Sequence, residues 1–156
     1  MKKVLIVLAL VALVLVPVAA SNKKTISGIG GEAGYPAAGL TVTFDFSEKL
    51  DGYATAGYWY GGYAEVLVGA QGKIADFKIG DEVFDVKLGG LVGAQIGGSL
   101  RLIVAFTGAV SYDFSINNNA DFTAYLRLGP GVSFRFGEEQ LIHADFVGAL
   151  GLVYHL

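Results

Sequence analysis

Apolar and polar residues alternate along most of the chain after residue 24, and no segment there keeps a helical period. The stretch 40–47 shows the pattern most simply. Its even-numbered positions are Leu40, Val42, Phe44 and Phe46, and its odd-numbered positions are Thr41, Thr43, Asp45 and Ser47. Successive side chains of a β-strand point to opposite faces, so this alternation predicts a strand with one apolar and one polar face. The stretches 100–116, 122–137 and 142–156 repeat the pattern, which indicates an all-β protein.

Clusters of turn-forming residues divide the alternating pattern into eight segments. The predicted strands are 25–35, 39–48, 52–60, 63–79, 82–97, 99–116, 121–137 and 140–156. In the fourth strand the apolar positions change from even (Val66, Val68) to odd (Phe77, Ile79). A β-bulge adds one residue to a strand and reverses its faces beyond that point, so we predict a bulge near Ala75.

The length of the strands and the size of their apolar side chains favour a membrane barrel. Soluble sheets usually have strands of about five or six residues, whereas roughly 9 to 11 residues cross a bilayer as a tilted strand. Large apolar residues occupy one face, and Gly, Ala, Ser, Thr and isolated charges occupy the other. In a membrane barrel the apolar face meets lipid and the polar face lines the lumen. We therefore expect an antiparallel up-and-down transmembrane β-barrel of eight strands.

The N-terminal segment has the pattern of a secretory signal peptide. Lys2 and Lys3 precede an apolar run from Val4 to Val16, and small residues follow up to Ala20. The run has 13 residues, fewer than the roughly 20 that a spanning helix needs. We therefore expect residues 1–20 to be a signal peptide cleaved after Ala20, and residues 21–156 to form the barrel domain.

The composition excludes several classes of function. Of the 156 residues, 53% are hydrophobic and 16% are charged, and the mean hydropathy is +0.54. The 11 basic and 14 acidic residues give a net charge of −3, which leaves no basic surface for a nucleic acid. Because cysteine is absent, disulfide bonds, thiolate metal sites and cysteine nucleophiles are excluded.

Two stretches in the first half carry a resemblance to known proteins. They are Gly-Ile-Gly-Gly-Glu-Ala-Gly-Tyr-Pro at 28–36, and the pair Gly-Leu-Thr-Val at 39–42 and Ser-Glu-Lys-Leu at 47–50. In these stretches, and in its alternating pattern throughout, the chain resembles small eight-stranded outer-membrane β-barrel proteins of two-membraned bacteria, in particular uncharacterised members of that group. The resemblance implies a location in the bacterial outer membrane, with lipid around the barrel.

The last strand adds to this resemblance. Leu150, Leu152, Tyr154 and Leu156 occupy alternate positions up to the last residue. Similar proteins commonly end in an aromatic residue preceded by such a pattern, which the barrel-assembly machinery reads; Leu156 stands where Phe is usual. The resemblance thus implies that machinery as a partner. We expect a monomer and no nucleic-acid partner.

The predicted polar faces carry charges of both signs into the lumen. The acids are Glu32, Asp45, Glu65, Asp85, Asp113 and Asp145, and the bases are Lys73, Lys87, Arg101, Arg127 and Arg135, together with His143. Such a balance suggests that arginines neutralise acids such as Asp85, Asp113 and Asp145 in a closed lumen. A selectivity ring of a pore usually has one sign in excess, and eight strands leave room only for side chains or one small ligand.

Three other motifs have simple structural interpretations. Gly28, Gly30 and Gly34 fit a strand whose glycines keep the lumen open, because no helix follows them as a phosphate-binding loop requires. His143 and Asp145, with Ser111 or Ser133, have the residue types of a hydrolase triad, but a His beside an acid is usually a hydrogen-bonded lumen pair. Aromatic residues near one turn suggest a girdle at the bilayer interface; they are Tyr53, Tyr58, Trp59, Tyr60 and Tyr63.

We expect a non-enzymatic protein with no catalytic residues, no cofactor and no metal site, since His143 and His155 with Asp145 fall short of metal-ligand spacing. Its expected role is structural or in membrane integrity. Two alternatives remain open: a small pore or ligand-binding transport barrel in the outer membrane, and a soluble secreted calycin-like carrier with an apolar ligand inside and its charges outside.

Overall fold

The computed structural model describes residues 26–59, 62–116, 120–136 and 141–156. The expected signal peptide, Tyr60 and parts of three predicted turns lie outside these residues. Eight β-strands follow one another along the chain. They are β1 (Gly28–Tyr35), β2 (Gly39–Ser47), β3 (Leu50–Trp59), β4 (Tyr63–Ile79), β5 (Glu82–Ile96), β6 (Leu100–Ile116), β7 (Ala120–Phe136) and β8 (Leu141–His155).

Every strand pairs with its neighbours in the sequence, and β1 pairs with β8 to close the sheet into a barrel. All pairings are antiparallel, and the closing register runs from Gly28 opposite His155 to Tyr35 opposite Gly148. The predicted all-β, up-and-down arrangement of eight strands is confirmed. Closure gives each strand two hydrogen-bonded neighbours, so the sheet has no free edge.

The predicted irregularity in β4 is also confirmed, since the register with β5 shifts between Lys73 and Ala75. The bulge returns the apolar side chains at the end of β4 to the outer face, where Phe77 stacks on Phe84. Two boundaries differ from the prediction by more than one residue. The first strand begins at Gly28, and β3 begins at Leu50, so that Asp51 lies in a strand and not in a turn.

The outer face of the barrel is apolar. On β6, β7 and β8, no described outer position holds a charged side chain. Val104 is 47% exposed and Leu126 is 46% exposed, although both are large apolar residues in the middle of long strands. The other exposed outer residues of these strands include Phe106, Val110, Leu128, Val132, Phe146, Leu150 and Leu152. The predicted face assignment is therefore correct for these strands.

The inner face differs from the prediction in one respect. It was expected to carry small and polar residues, but the lumen also contains a layer of apolar side chains, which we call the apolar layer. Its members are Ala37, Leu67, Leu91, Ile103, Ala105 and Val147. Those of these residues that lie in strands alternate with outer residues just as the polar ones do, so hydrophobicity alone did not distinguish them from positions on the outer face.

Inner glycines allow adjacent strands to approach closely. A Cβ atom on Gly129 would lie 1.9 Å from the carbonyl oxygen of Phe106, and one on Gly30 would lie 2.0 Å from that of Leu152. No side chain fits at such distances. These glycines therefore permit tight curvature of the wall, and the expectation that Gly30 serves to keep the lumen open is corrected to this role.

Two other inner glycines make room for tyrosine rings of the neighbouring strand. A Cβ on Gly151 would lie 2.2 Å from Cζ of Tyr125, and a Cβ on Gly69 would lie 2.3 Å from Cζ of Tyr53. Each ring therefore covers the glycine across the strand pair. Both tyrosines are almost fully buried, so the glycines determine where these rings lie in the lumen.

The substitution Gly151→Ala should force the Tyr125 ring away from its position. We expect a loss of about 1–3 kcal/mol in the free energy of unfolding, because the buried ring has no free space to enter. Gly108→Ala is the matched control, since its Cβ would meet only Leu88 Cδ2, at 3.6 Å; it should change stability by less than about 0.5 kcal/mol. Equilibrium urea unfolding followed by circular dichroism compares them. Equal stabilities would contradict the packing described for Gly151.

Candidate functional site

Polar side chains in the lumen form separate groups along the barrel axis. The inward-facing residues of β6 are, in order, Arg101, Ile103, Ala105 and Thr107. Along the barrel axis the apolar layer therefore has polar side chains on both sides. We call the two ends of the barrel the β1–β2 end and the β2–β3 end, after the connection found there.

The first group, the arginine–tyrosine cluster, consists of Glu32, Tyr53, Tyr125 and Arg127. Arg127 Nη2 lies 2.6 Å from Glu32 Oε2, and the two side chains are 3% and 0% exposed. Tyr125 donates a hydrogen bond to the same oxygen, at 2.5 Å. The Arg127 guanidinium lies 3.9 Å from the centroid of the Tyr53 ring and 5.4 Å from that of Tyr125. A buried charge is thus held by an opposite charge and by two aromatic faces.

The energetics of this cluster favour a single arrangement. Desolvation of two charges costs several kcal/mol each, which close contact and hydrogen bonding must offset. The Tyr53 ring adds a cation–π interaction of roughly 2 kcal/mol in such a dry site. Removing one charge would leave the other buried without compensation, so the cluster is far more sensitive to single substitutions than an exposed pair.

The second group closes the β1–β2 end. Arg101 Nη2 contacts Asp145 Oδ2 at 2.7 Å and Ser133 Oγ at 3.0 Å, and Tyr35 donates to Asp145 at 3.1 Å. Gln95 Nε2 donates to the carbonyl oxygen of Pro36 at 3.3 Å and also to the Glu65 carboxylate. The connection between β1 and β2 is therefore drawn into the lumen.

This connection completes a closure of the barrel interior. Ala37, in the middle of the connection, is 1% exposed and belongs to the apolar layer. Pro36 lies beside Gly93 of β5, on the far wall. The side chains of the second group lie beyond this layer, so backbone and side chains together fill the barrel interior at this end.

The third group lies at the β2–β3 end and is open to solvent. Lys73 pairs with Asp85 at 2.7 Å and with Asp76 at 3.3 Å, and Lys87 pairs with Asp51. Thr123 donates to Asp113. These residues, apart from Lys73 and Asp76, line a cavity of about 230 Å³ that reaches inward to Tyr53, Tyr125 and Arg127.

The predicted lumen charges lie on the inner face, as expected, but their ion pairs differ from the predicted ones. Arg101 does neutralise Asp145. Arg127 pairs with Glu32 instead of Asp85 or Asp113. Lys73 forms an ion pair with Asp85, and Thr123 donates a hydrogen bond to Asp113.

Arg135 and His143 lie exposed at the rim of the β1–β2 end. Arg135 forms no ion pair with any described residue, so its expected role in neutralising lumen acids is corrected.

Two of the residues considered for a hydrolase triad, Ser133 and Asp145, are engaged by another side chain. Ser133 lies directly across from His143 in the β7–β8 register. Arg101 binds both Ser133 and Asp145, and within the described residues no hydrogen bond links His143 to either. Ser111 lies in the wall of the open cavity. The described part of the chain likewise has no group of three or more acidic or histidine side chains placed to hold a metal ion.

Several lumen residues were not anticipated. Tyr53 was assigned to an interfacial girdle but lies buried in the lumen. Asp51, assigned to a turn, pairs with Lys87. A signal for both exists in the sequence, because an earlier start of β3 places Asp51 and Tyr53 on the same face as Thr55.

An aromatic band crosses the outer face near the β2–β3 end. Neighbouring rings lie 5.0–5.8 Å apart between centroids, and four of the five contacts are stacked. The band comprises Phe77, Phe84, Tyr112, Phe114, Phe122 and Tyr154 and runs across β4 to β8. Of the girdle predicted from the sequence, Tyr58 lies exposed at the opposite end.

Comparisons with models of known protein families, with curated proteins and with solved structures find no match for this chain. In the described residues no helix is long and apolar enough to cross a membrane.

The substitution Arg127→Ala should destabilise the barrel by about 3–5 kcal/mol, because it leaves the Glu32 carboxylate buried and unpaired. Arg135→Ala removes the same kind of side chain from the exposed rim and should cost less than about 0.5 kcal/mol. The double variant Glu32→Gln with Arg127→Met, which carries neither charge, should be more stable than Arg127→Ala. Urea unfolding of the variants measures the differences. Similar losses for Arg127→Ala and Arg135→Ala would contradict the buried pair.

Proposed function

We propose that this protein is an outer-membrane β-barrel with a closed lumen and a structural or membrane-integrity role, without enzymatic activity. The observation that carries the proposal is the outer face, where large apolar side chains such as Val104 and Leu126 are exposed in mid-strand. A soluble barrel packs such residues inside, whereas a spanning barrel presents them to lipid. Continuous apolar surface of this extent on a soluble monomer would promote aggregation.

The dimensions of the apolar surface fit a bilayer. From Leu100 to Tyr112 in the aromatic band, β6 advances by twelve residues. At about 3.3 Å per residue and a strand tilt near 40°, this corresponds to roughly 30 Å along the barrel axis, close to the thickness of the hydrocarbon core. Phe134 and Phe136 lie on the outer face at the other end. Aromatic side chains at both limits are typical of membrane interfaces.

The closed interior favours a structural role over conduction. A permeating ion would have to pass the Glu32–Arg127 pair, the apolar layer and the inserted β1–β2 connection. Each of these consists of buried, contacting side chains or backbone. A pore of this type requires a continuous polar path, so the small-pore alternative has less support.

The soluble calycin-like alternative also has less support. Such a carrier places its charges outside and an apolar ligand inside. Here the buried polar residues include Glu32, Glu65 and Arg127 in the lumen, while the outer positions of the long strands are apolar. The inside and outside thus have the reverse of the polarity that this alternative needs.

Export and insertion belong to the same proposal. The signal peptide 1–20 would direct the chain out of the cytoplasm, and the alternating C-terminal residues 150–156 would be read by the barrel-assembly machinery. Closure of β1 on β8 gives a monomer whose backbone hydrogen bonds are satisfied without a partner chain, as lipid requires.

Fractionation tests the location. Expressed in a bacterium with two membranes, the protein should appear in the outer-membrane fraction with Ser21 as its first residue, as read by mass spectrometry. Leu126→Arg should lose about 2–4 kcal/mol of folding stability in vesicles and be depleted from that fraction, because a charge would face lipid. Thr107→Ser, a small change on the inner face, should behave as wild type. A wild-type protein that stays soluble, or equal tolerance of the two substitutions, would contradict the proposal.

Planar-bilayer recording tests the closed lumen. The purified wild-type protein should produce no sustained current, because the apolar layer and the β1–β2 connection block the interior. The measurement needs a known porin as a positive control for insertion. A steady ion-selective current from the wild-type protein would overturn the closed lumen and favour the pore alternative.

A further inference from the structure

The cavity at the β2–β3 end is a blind pocket with an unusual lining. Its inner wall is the arginine–tyrosine cluster, beyond which the apolar layer fills the lumen. Its volume of about 230 Å³ is enough for a small organic molecule and several waters. A ligand held there would not need to pass through the barrel, so the pocket can function while the lumen stays closed.

The charges around this pocket are unbalanced. Five carboxylates line it, namely Asp45, Glu48, Asp51, Asp85 and Asp113, against the two permanent bases Lys87 and Arg127 and the imidazole of His155. Lys87 is paired with Asp51, Arg127 with the buried Glu32, and Asp85 with Lys73, which lies outside the pocket lining. Asp45 and Glu48 form no ion pair with any residue that the structure describes. The pocket therefore presents an excess of negative charge to a solute.

A second observation points independently to a missing ligand. Tyr53 is 3% exposed and lines the pocket, and its hydroxyl, which interacts only weakly with Thr107, has no partner at full hydrogen-bond distance. Gln71 Oε1, also in the pocket wall, is buried and has no donor within reach. Buried polar atoms in native proteins nearly always have a partner. An acceptor without a donor, in the same pocket as carboxylates that have no ion pair, indicates a ligand that brings both positive charge and N–H groups.

The spacing of the carboxylates indicates which kind of cation the pocket would bind. A divalent metal requires several ligands converging on one point, and the described residues contain no such group. The carboxylates instead stand on different strands around the wall, from Asp45 on β2 to Asp85 on β5 and Asp113 on β6. A linear chain with several separated ammonium groups matches this distribution.

We propose that the pocket binds a linear polyamine. Its ammonium groups would contact Asp45 and Asp113, its N–H groups would satisfy Gln71 Oε1 and the Tyr53 hydroxyl, and its methylene segments would lie against the tyrosine rings. The proposal does not depend on where in the cell the barrel resides.

Calorimetric titration of the purified full-length protein, in neutral detergent, with spermidine as the probe tests this proposal. Wild type should bind with one-site saturation. Asp45→Asn should weaken binding about tenfold, the effect of losing one charge-assisted contact. Tyr53→Phe, which keeps the ring and the net charge, should weaken it about threefold. Asp121→Asn makes the same charge change at an exposed position outside the pocket and should leave the affinity unchanged.

Further measurements distinguish a specific binding site from general attraction between opposite charges. Magnesium at the same ionic strength should neither bind with similar affinity nor displace spermidine stoichiometrically. Equal weakening by Asp45→Asn and Asp121→Asn, magnesium binding equal to that of spermidine, or absence of saturable spermidine binding would each overturn the proposal. Circular dichroism of each variant checks that the barrel is folded, and a variant that fails this check is replaced by Glu48→Gln, for which the same weakening is expected.

Discussion

The pairing of β1 with β8 is the constraint on which the rest of the structure depends. Without it, both terminal strands would expose unpaired backbone groups, and the inner side chains of β1 would face no opposite wall. Closure brings Glu32 on β1 beside Gly151 on β8. The Tyr125 ring on β7 lies across that glycine, and its hydroxyl donates a hydrogen bond to the Glu32 carboxylate. The buried ion pair with Arg127 is therefore a product of closure as much as a contributor to it.

Curvature links the sheet to the chemistry of its interior. A closed sheet of eight strands bends so sharply that inner Cβ atoms crowd the neighbouring backbone, and glycines such as Gly129 relieve this crowding. The same absence of side chains creates the shallow recesses into which Tyr53 and Tyr125 fit. The rings then exclude water from Arg127, which strengthens its attraction to Glu32 because the local dielectric is low. Backbone geometry and electrostatics thus support one another.

The period of two in the sequence was enough to predict the eight strands, their order and a bulge near Ala75, because each depends only on local alternation. Pairing between distant side chains was not predictable in this way. Glu32 and Arg127 are 95 residues apart, and their contact depends on strand stagger, which alternation does not specify. The apolar layer was missed for a related reason: Ile103 is as hydrophobic as a residue of the outer face, and only its odd position beside the even position of Val104 distinguishes the two faces.

Strand lengths differ around the barrel, from 8–10 residues in β1 to β3 to 15–17 residues in β4 to β8. Leu50 at the start of β3 pairs with Gly72, and β4 continues for seven more residues, which raises its wall by roughly 18 Å. The rim of the β2–β3 end is therefore oblique, with a low side and a high side. The cavity is therefore open sideways over the low side, and its opposite side is formed by the taller wall of β4 and β5.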